Sequence, residues 1–415
     1  MSPTANASSA ASASSASSGN GLEQLLAAKE IVVFCGSGGV GKTSVAAACA
    51  LGAVCRLGGK VLVLTIDPAR RLATALGLDG VGNLARRVPA DVLKAAGVEA
   101  RGELWAAMLD TKQSWDELVL RHAPDDETAY RILDNRLYHN ITARFVQSHD
   151  YIAMERLYEL HQSGEYDLIV IDTPPTRNAA DFLEAPKRMA DFFGGRLLRW
   201  LTLPYRVGGK RGSRVINVAS RPFYQVADRI LGSKFLEDIA EFFLNFQSMY
   251  AGFSERARAV EKLLHDRRTT FAVVTTLEAA PLHEAEHFRD LLDAGKFHLG
   301  ALVLNRTLPD SLLSSEGART AARFTDDAPA VAADLARAIG DEHPVVADEA
   351  RTARVLRTVG SSFQNFSLVA KREAELRVEL TGRPEVVARV PSFDDEITDL
   401  SGLARIGRAL FGDDA

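Results

Sequence analysis

Short apolar runs, rich in β-branched residues, alternate along the chain with longer stretches of helical character. The runs are IVVFC, VLVLTID, LIVIDT, FAVVTT, ALVLNR and VVARVP. Most of them are apolar nearly throughout, which is typical of strands that are buried on both faces of a parallel sheet. The pattern predicts an α/β fold, with a doubly wound, mostly parallel sheet covered by helices. In such sheets, ligands bind at the carboxyl ends of the strands, where several of these runs end in Asp, Asn or Pro.

Two segments have patterns that predict how the chain is divided. Residues 1–22 are mostly Ser and Ala, which predicts a disordered tail, and they lack the basic start and apolar centre of a secretion signal. Residues 181–266 have the pattern of long helices, which predicts a helical insertion. The insertion would divide an α/β core into a first part, residues 23–180, and a second part, residues 267–415.

The helical insertion has two interpretations. It is rich in Phe, Leu and Arg, and it contains Trp200 and the basic loop GGKRGSR at residues 208–214. Such helices either pack on a sheet with their arginines in solvent or present a surface to a membrane or a hydrophobic client. The chain has only five Met in total, which weakens the idea of a Met-lined groove for transmembrane helices.

The composition is that of a globular protein, since 47% of the 415 residues are apolar and 25% are charged. The formal net charge of -5 offers no general attraction to nucleic acid, so we expect no nucleic-acid partner. Three cysteines suit a reducing compartment, and no apolar stretch approaches the roughly 20 residues that span a bilayer. These features predict a cytoplasmic location, and the insertion leaves peripheral contact with a membrane open.

The candidate chemistry begins directly after the first apolar run. Residues 36–43 have the sequence GSGGVGKT, which satisfies the phosphate-loop pattern G-x-x-x-x-G-K-[ST] between a predicted strand and a predicted helix. The glycines let successive backbone N–H groups point at phosphate oxygens, and the helix N-terminus adds a positive dipole. Lys42 would neutralise the β and γ phosphates, and the Thr43 hydroxyl would bind Mg²⁺. The predicted nucleotide-binding residues of the loop are Gly36, Ser37, Gly38, Gly39, Val40, Gly41, Lys42, Thr43 and Ser44.

Two aspartates end apolar runs and are candidates for the same site. Asp172 closes LIVID, and a carboxylate after an apolar strand beside a phosphate loop usually helps to hold Mg²⁺. Asp67 closes VLVLTID and is the candidate to orient the attacking water and to contact the metal. Either aspartate, taken alone, would also be explained as a helix cap. Together with the loop, the pattern predicts catalytic roles for Asp67 and Lys42, and a metal site of Thr43, Asp67 and Asp172.

The run ALVLNR indicates which base is bound. Asn305 lies at its end, where the side-chain amide can pair with the edge of a purine. A guanine site would want an acidic group three residues later, to accept from the base's N–H groups, and position 308 is Leu. The sequence therefore favours ATP over GTP.

Two patterns suggest metal sites, and both are weak. HEAEH at residues 283–287 matches the zinc-peptidase pattern H-E-x-x-H, but it follows shortly after a strand, where we expect an exposed helix and solvated side chains. Cys49 and Cys55 are six residues apart, about 240° round a helix, so they do not share a face. Cys35 lies at the end of a strand. We therefore expect buried structural thiols, not an arsenite or zinc site.

The phosphate loop and the runs that end in Asp67, Asp172 and Asn305 resemble those of the ArsA-type ATPases, the family of the arsenical pump ATPases and of the guided-entry ATPases that carry tail-anchored membrane proteins. CGSGGVGKTSVAAACA is similar to the family's deviant Walker A loop, TIDPARRLATALG to its first switch and VIDTPPTRNAADFL to its second switch. The sequences DPARR and DTPP are most similar to the anion-transporting, ArsA-like ATPases of actinobacteria. The resemblance extends from about Glu30 to the C-terminus.

The resemblance implies a SIMIBI-like phosphate-loop NTPase that binds ATP and Mg²⁺, dimerises face to face and changes shape with its nucleotide state. VLNR is similar to the family's adenine-contacting segment. VPSFDDEITDLSGLARIG is similar to the stretch that closes over the base, which adds Pro391 and Phe393 to the expected nucleotide site. The implied function is protein targeting, transport or another membrane-linked task, with a membrane-protein or hydrophobic client.

One departure from the family bears on the activity. The family's loop has a second Lys after its first Gly, which reaches across the dimer to the other subunit's phosphates, and this chain has Ser37 there. A hydroxyl cannot supply that charge, and losing one cation at a phosphoryl-transfer site costs orders of magnitude in rate. Either a paralogous subunit completes the site, or Arg70 or Arg71 replaces the charge, or hydrolysis is slow. The alternative function is a non-hydrolysing, ATP-sensing subunit that pairs with a lysine-bearing paralog.

Overall fold

The computed structural model describes most of the chain outside the predicted tail and insertion. The described residues are 21–66, 71–78, 82–144, 146–173, 183–185, 187–188, 242–246, 249–340, 342–380 and 384–412. Two predicted site residues, Asp67 and Arg70, lie outside these ranges, as does most of the predicted insertion. The predicted tail also lies outside them except for its last two residues, Gly21 and Leu22, which begin a helix in which Leu22 is buried.

An eight-stranded sheet forms the centre of the fold, in the order β3-β4-β2-β5-β1-β6-β7-β8. Every pairing is parallel except β3 with β4, so the predicted α/β class with a mostly parallel sheet is confirmed. All six apolar runs form strands. The strands are β1 (Ile31–Cys35), β2 (Lys60–Thr65), β3 (Arg86–Arg87), β4 (Glu103–Met108), β5 (Leu168–Asp172), β6 (Thr269–Thr275), β7 (Leu299–Thr307) and β8 (Val386–Pro391).

Helices cover both faces of the sheet. They are α1 (21–27), α2 (Lys42–Arg56), α3 (Arg71–Ala75), α4 (Ala90–Ala95), α5 (Thr111–His122), α6 (Asp126–Leu133), α7 (Arg136–Arg144), α8 (Val146–Gln162), α9 (Tyr250–Leu264), α10 (Ala279–Gly295), α11 (Ser315–Asp326), α12 (Ala328–Ile339), α13 (Glu349–Leu380) and α14 (Leu400–Phe411). None of the helices in the described ranges is long and apolar enough to cross a membrane.

The central strand β1 shows why the runs are continuously apolar. Ile31, Val33 and Cys35 belong to the core beneath α5 to α10, whereas Val32 and Phe34 belong to the core beneath α1 to α4 and α14. All five side chains are at most 3% exposed. Because both faces of β1 are covered, a polar side chain at any position along the strand would be buried, which is costly unless it is hydrogen-bonded.

The connection from β7 to β8 is much longer than one crossover helix. It contains α11, α12 and the 32-residue α13, which pack through a small core of their own around Ala332 and Leu356. Asp310 joins this connection to the sheet, because it accepts two hydrogen bonds from Arg389 of β8 and one from Arg377 of α13. The contacts with Arg389 and Arg377 lower the pKa of Asp310 below its ordinary value. Its sequence pattern does not distinguish this segment from the rest of the predicted core.

A buried ion pair lies among the helices on the α5 to α10 side. Glu155 of α8 is 1% exposed and pairs with Arg256 of α9. The Tyr151 hydroxyl donates to Glu155 at 2.9 Å, and the aromatic rings of Tyr151, Trp115 and Phe253 pack beside the pair. Burial raises the pKa of Glu155, although Arg256 opposes that effect. The pair therefore connects α8 to α9 across a largely apolar environment.

Arg256 also contacts His122 at the end of α5, with 3.3 Å between Nη1 and Nδ1. Burial, together with Arg256 and Arg121, lowers the pKa of His122 to about 4. A histidine in an unfolded chain titrates near pH 6.5. Between these two values the unfolded state binds more protons than the folded state, so the free energy of unfolding decreases as the pH falls through this window.

His122→Gln tests this pH dependence. A glutamine cannot be protonated, so the variant should lose less stability than the wild type when the pH falls from 7 to 5. The effect should be modest, because His122 is only half-buried and solvent screens its charge. Urea unfolding midpoints of both proteins at the two pH values measure it. Equal losses of stability in the two proteins would contradict the assignment to His122.

Candidate functional site

The phosphate loop leaves β1 and leads directly into α2, as its sequence predicts. Gly36 and Gly41 have φ values of 150° and 89°, which side-chain-bearing residues rarely adopt. A Cβ atom on Gly36 would lie 2.1 Å from the Val274 oxygen of β6, and one on Gly41 would lie 2.3 Å from Nδ2 of Asn305. At Gly36 the backbone of β6 leaves no room for a side chain, and at Gly41 the Asn305 side chain would have to move, so the loop favours glycine at both positions.

Lys42 begins α2 and lies over the loop. Its ammonium group donates a 2.7 Å hydrogen bond to the carbonyl oxygen of Ser37, and the residue is 6% exposed. The first turn of α2 contains no acidic residue. The positive end of the helix dipole and the lysine charge thus lie together at the loop, which is the arrangement that favours a bound phosphate.

Thr43 and Asp172 meet beside Lys42, although they are 129 residues apart. The Thr43 hydroxyl donates to Oδ2 of Asp172 at 2.7 Å, and the Thr65 hydroxyl donates to the same oxygen at 3.0 Å. Asp172 is 1% exposed. Hydroxyl and carboxylate oxygens are the hard ligands that Mg²⁺ takes in phosphate-loop sites, so this donor set fits the metal. Thr65 was not predicted as a site residue, although a hydroxyl side chain near the end of an apolar run could have indicated it.

A cavity of about 1100 Å³ opens above the loop. It brings together predicted nucleotide-binding residues from three distant parts of the chain. Those that line it are Gly39, Gly41, Lys42, Thr43, Ser44, Asn305, Pro391 and Phe393. Val40 was also predicted, but its side chain is 1% exposed and belongs to the core, so only its backbone is available to a ligand.

Asn305 braces the phosphate loop from the end of β7. Its Nδ2 donates to the Val40 oxygen at 2.7 Å, and its Oδ1 accepts from the backbone N–H of Arg306 at 3.0 Å. The residue is 7% exposed. Its position at the cavity agrees with the predicted location of the base, and contact with adenine stays a prediction.

The cavity also contains charged residues that the sequence analysis missed. Arg306 lines it, as do Asp394, Asp395 and Glu396 from the loop that follows β8. The sequence signals were present, because Arg306 follows Asn305 directly and the acidic residues follow Phe393. These carboxylates matter for the choice of base, since the sequence argument against guanine considered an acidic group only at position 308. The preference for ATP over GTP therefore stays a prediction.

The structure does not describe the side chains of the two arginines that were expected to replace the missing lysine charge. Arg70, like Asp67, lies outside them, and Arg71 begins α3 with only its backbone described. Leu72, Thr74 and Ala75 of the same helix line the cavity. Part of the first-switch segment thus lines the cavity, while the roles of Asp67, Arg70 and Arg71 stay predictions.

The two weak metal patterns do not form sites in the described structure. Cys35 and Cys49 are buried, and burial raises the pKa of both thiols to about 12, so both are protonated at neutral pH. His283, Glu284 and His287 are exposed on α10. Among the residues that the structure describes, no group of three His, Cys, Asp or Glu side chains is placed to hold a metal ion.

Comparison with known proteins identifies the family of this chain. The family model for anion-transporting ATPases matches residues 29–327, which is most of the chain. The putative arsenical pump-driving ATPase 1 of Aquifex aeolicus is 20% identical over 399 residues, covering 92% of this chain and 79% of the relative. The ATPase get3 of Schizosaccharomyces pombe is 24% identical over 278 residues, covering 66% and 72%, respectively.

A third relative, the ATPase BagA of Mycobacterium tuberculosis, is 23% identical over 298 residues, covering 69% of this chain and 67% of its own length. The family match contains the phosphate loop, Asp172 and Asn305; residues of the loop and Asn305 line one cavity, and Asp172 accepts a hydrogen bond from Thr43 beside it. Both the sequence resemblance and the mostly parallel sheet agree with it. The chain therefore belongs to the ArsA family of anion-transporting ATPases.

Proposed function

We propose that this chain is a Mg²⁺-dependent ATPase in which the binding and hydrolysis of ATP change the conformation of a dimer. The observation that carries the proposal is the meeting of Lys42, Thr43 and Asp172 at one end of a cavity large enough for a nucleotide. The cavity is also lined by Asn305, Arg306 and Pro391, from the ends of β7 and β8. The phosphates would lie on the loop, at the phosphate end of the cavity, and the base would lie beside the ends of β7 and β8, at the base end.

Each residue of the phosphate end has a separate task in this proposal. Lys42 and the N-terminus of α2 neutralise the phosphate charge, and the loop N–H groups hold the phosphate oxygens. Thr43 and Asp172 hold Mg²⁺, with Asp67 as a further contact. Bound Mg²⁺ supplies Lewis-acid stabilisation of the charge that develops on the phosphate oxygens. Asp67 orients the attacking water.

Ser37 takes no part in the proposed chemistry through its side chain. The residue is 9% exposed, and within the described residues its Oγ has no hydrogen-bond partner. A second cation therefore has to come from elsewhere, either from Arg70 or Arg71 of the same chain or from a paralogous subunit. We favour these sources because a buried hydroxyl cannot neutralise phosphate charge.

Ser37→Ala should leave MgATP hydrolysis within about twofold of the wild type, because it removes a buried hydroxyl that has no partner. The melting temperature should stay the same or rise, since burial of an unpaired hydroxyl is costly. Phosphate release and thermal melting of the two proteins, measured side by side, test both expectations. A large loss of phosphate release would mean that the hydroxyl takes part in catalysis.

A second candidate function is an ATP-sensing subunit that does not hydrolyse ATP and regulates a lysine-bearing paralog. The buried side chain of Ser37, which has no positive charge, favours it. The two functions are separated by steady-state phosphate release and by nucleotide binding measured in parallel. Turnover by the purified chain supports the ATPase, whereas tight MgATP binding without turnover supports the sensing subunit.

The proposed partner is another ATPase of this type, either a second copy of the chain or a paralog. We propose work in protein targeting, transport or another membrane-linked process, in the cytoplasm or at the membrane periphery. A membrane-protein or hydrophobic client would bind through the helical insertion, residues 181–266, most of which lies outside the described ranges. The net charge of -5 gives no reason to propose a nucleic-acid partner.

A further inference from the structure

The order of the strands separates the two ends of the nucleotide cavity. The phosphate loop follows β1, and Asp172 lies on its neighbour β5, while β7 lies two strands away from β1 on the other side. With about 4.8 Å between neighbouring strands, the end of β7 lies roughly 10 Å from β1 and roughly 14 Å from β5. The end of β7 therefore lies on the far side of the phosphate loop from Asp172 and the proposed metal site, and this is the side where we place the base of a bound nucleotide.

Arg306 enters the cavity from this position because β7 contains a bulge. From Leu304 to Thr307 the chain advances three residues, while the paired strand β8 advances two, from Arg389 to Pro391. Asn305 points at the phosphate loop, where it bonds Val40, and Thr307 returns to the ladder. The additional residue is turned outward, so Arg306 is exposed and lines the cavity.

The backbone of Arg306 is unusual for its residue type. Its φ is 57°, in the left-handed region that arginine rarely adopts. Lys296 also has a positive φ, of 59°, but it ends α10 as a C-cap, where this conformation is common. Arg306 ends no helix. Left-handed conformations of this kind concentrate at ligand sites, where the surrounding structure maintains them.

The charged residues around the cavity indicate that Arg306 is available to bind an anionic ligand such as a nucleotide. Asp394, Asp395 and Glu396 line the same cavity and repel an anionic ligand. Lys42 and Arg306 are the two cations among the described residues that line it, and Lys42 lies at the phosphate end. In the parts of the chain that the structure describes, the Arg306 guanidinium has no hydrogen-bond or ion-pair partner. It is therefore available to a ligand.

A planar guanidinium at the base end of the cavity is suited to stacking on a purine ring. Phe393, which follows the neighbouring strand β8, already has the Arg405 guanidinium 4.6 Å from its ring centre, so one of its faces is covered. We propose that Arg306 stacks on the purine of the bound nucleotide and strengthens binding from the base side of the cavity. This inference rests on the proposed ATP-binding function.

The test compares Arg306→Asn with Lys296→Asn. Asparagine tolerates a positive φ better than other side chains, so both substitutions keep the local backbone, and only the first removes a group from the cavity. Dissociation constants are measured for ATP, ADP and inorganic tripolyphosphate, which carries phosphates without a purine. We expect Arg306→Asn to weaken ATP and ADP binding by about tenfold and to leave tripolyphosphate binding unchanged. Lys296→Asn should change none of the three.

Two results would overturn the inference. ATP binding within twofold of the wild type in Arg306→Asn would show that the guanidinium makes no useful contact. An equal weakening of tripolyphosphate would show that it contacts the phosphates instead of the purine. Lys42→Ala, measured in the same assay, separates this inference from the proposed function. If Lys42→Ala abolishes ATP binding and Arg306→Asn does not change it, only the role of Arg306 fails; if the wild type binds no ATP, the proposed function fails.

Discussion

Lys42→Ala should lower MgATP hydrolysis by roughly 100- to 1,000-fold and weaken nucleotide binding, because it removes the lysine charge at the phosphate end of the cavity. Lys42 is buried at the start of α2, and its ammonium group is already held over the loop by the Ser37 carbonyl. The lysine charge is therefore already in place at the loop before a phosphate binds. Phosphate release and ATP affinity of the purified variant measure it.

A matched control for this substitution is Lys94→Ala, which removes an exposed lysine from α4. It should leave hydrolysis and binding unchanged. Thermal melting of both variants shows whether the fold is kept, since Lys42 also makes a structural hydrogen bond. Hydrolysis that survives Lys42→Ala in a folded protein would mean that the activity belongs to a contaminant or to another site, and the proposed ATPase would then be wrong.

Arg256→Met should decrease the free energy of unfolding by about 3–5 kcal/mol, because it leaves the Glu155 carboxylate buried without its partner. Glu155 is 1% exposed, so water cannot replace the lost cation. Burial already raises the pKa of Glu155, and a group with a raised pKa contributes stability at low pH that is lost as the pH rises through that pKa. The loss should therefore be larger at pH 8 than at pH 5. Urea denaturation at the two pH values measures both effects.

Arg258→Met is the matched control, since Arg258 is exposed on the same helix, two residues away. It should cost less than about 0.5 kcal/mol. The double variant Glu155→Leu with Arg256→Met should be more stable than Arg256→Met alone, because it removes the unpaired charge. If Arg256→Met costs no more than the control, the ion pair between α8 and α9 does not hold these helices together.

The strands of the sheet differ in how well their sequences predicted them. β1, β2, β5 and β6 were found because both of their faces are covered, which requires an uninterrupted apolar run. β4 was missed, since its sequence ELWAAM contains Ala, Leu, Met and Glu, which favour helices. It forms a strand because it pairs with all six residues of β2, which is a tertiary effect. β3 has only two residues and gave no periodic signal.

The candidate site divides in the same way. The phosphate loop was predicted residue by residue, because its glycines, lysine and threonine are neighbours in the sequence and act through local backbone geometry. The bulge that turns Arg306 into the cavity was not predicted, because it arises from the register between β7 and β8. The bracing of the loop by Asn305 was also missed, since the two contact atoms are 265 residues apart in sequence.

The sequence by itself determined the fold class, the family and the position of the phosphate loop between β1 and α2, because each of these depends on periodicity or on a short contiguous motif. Only the tertiary structure decided that the hydroxyls of Thr43 and Thr65 donate to one carboxylate oxygen of Asp172. It also decided that Arg306 and three acidic residues line the same cavity. The physical reason is that such contacts depend on the order and register of strands. These are fixed by packing and by hydrogen bonds between distant segments, not by local conformational preference.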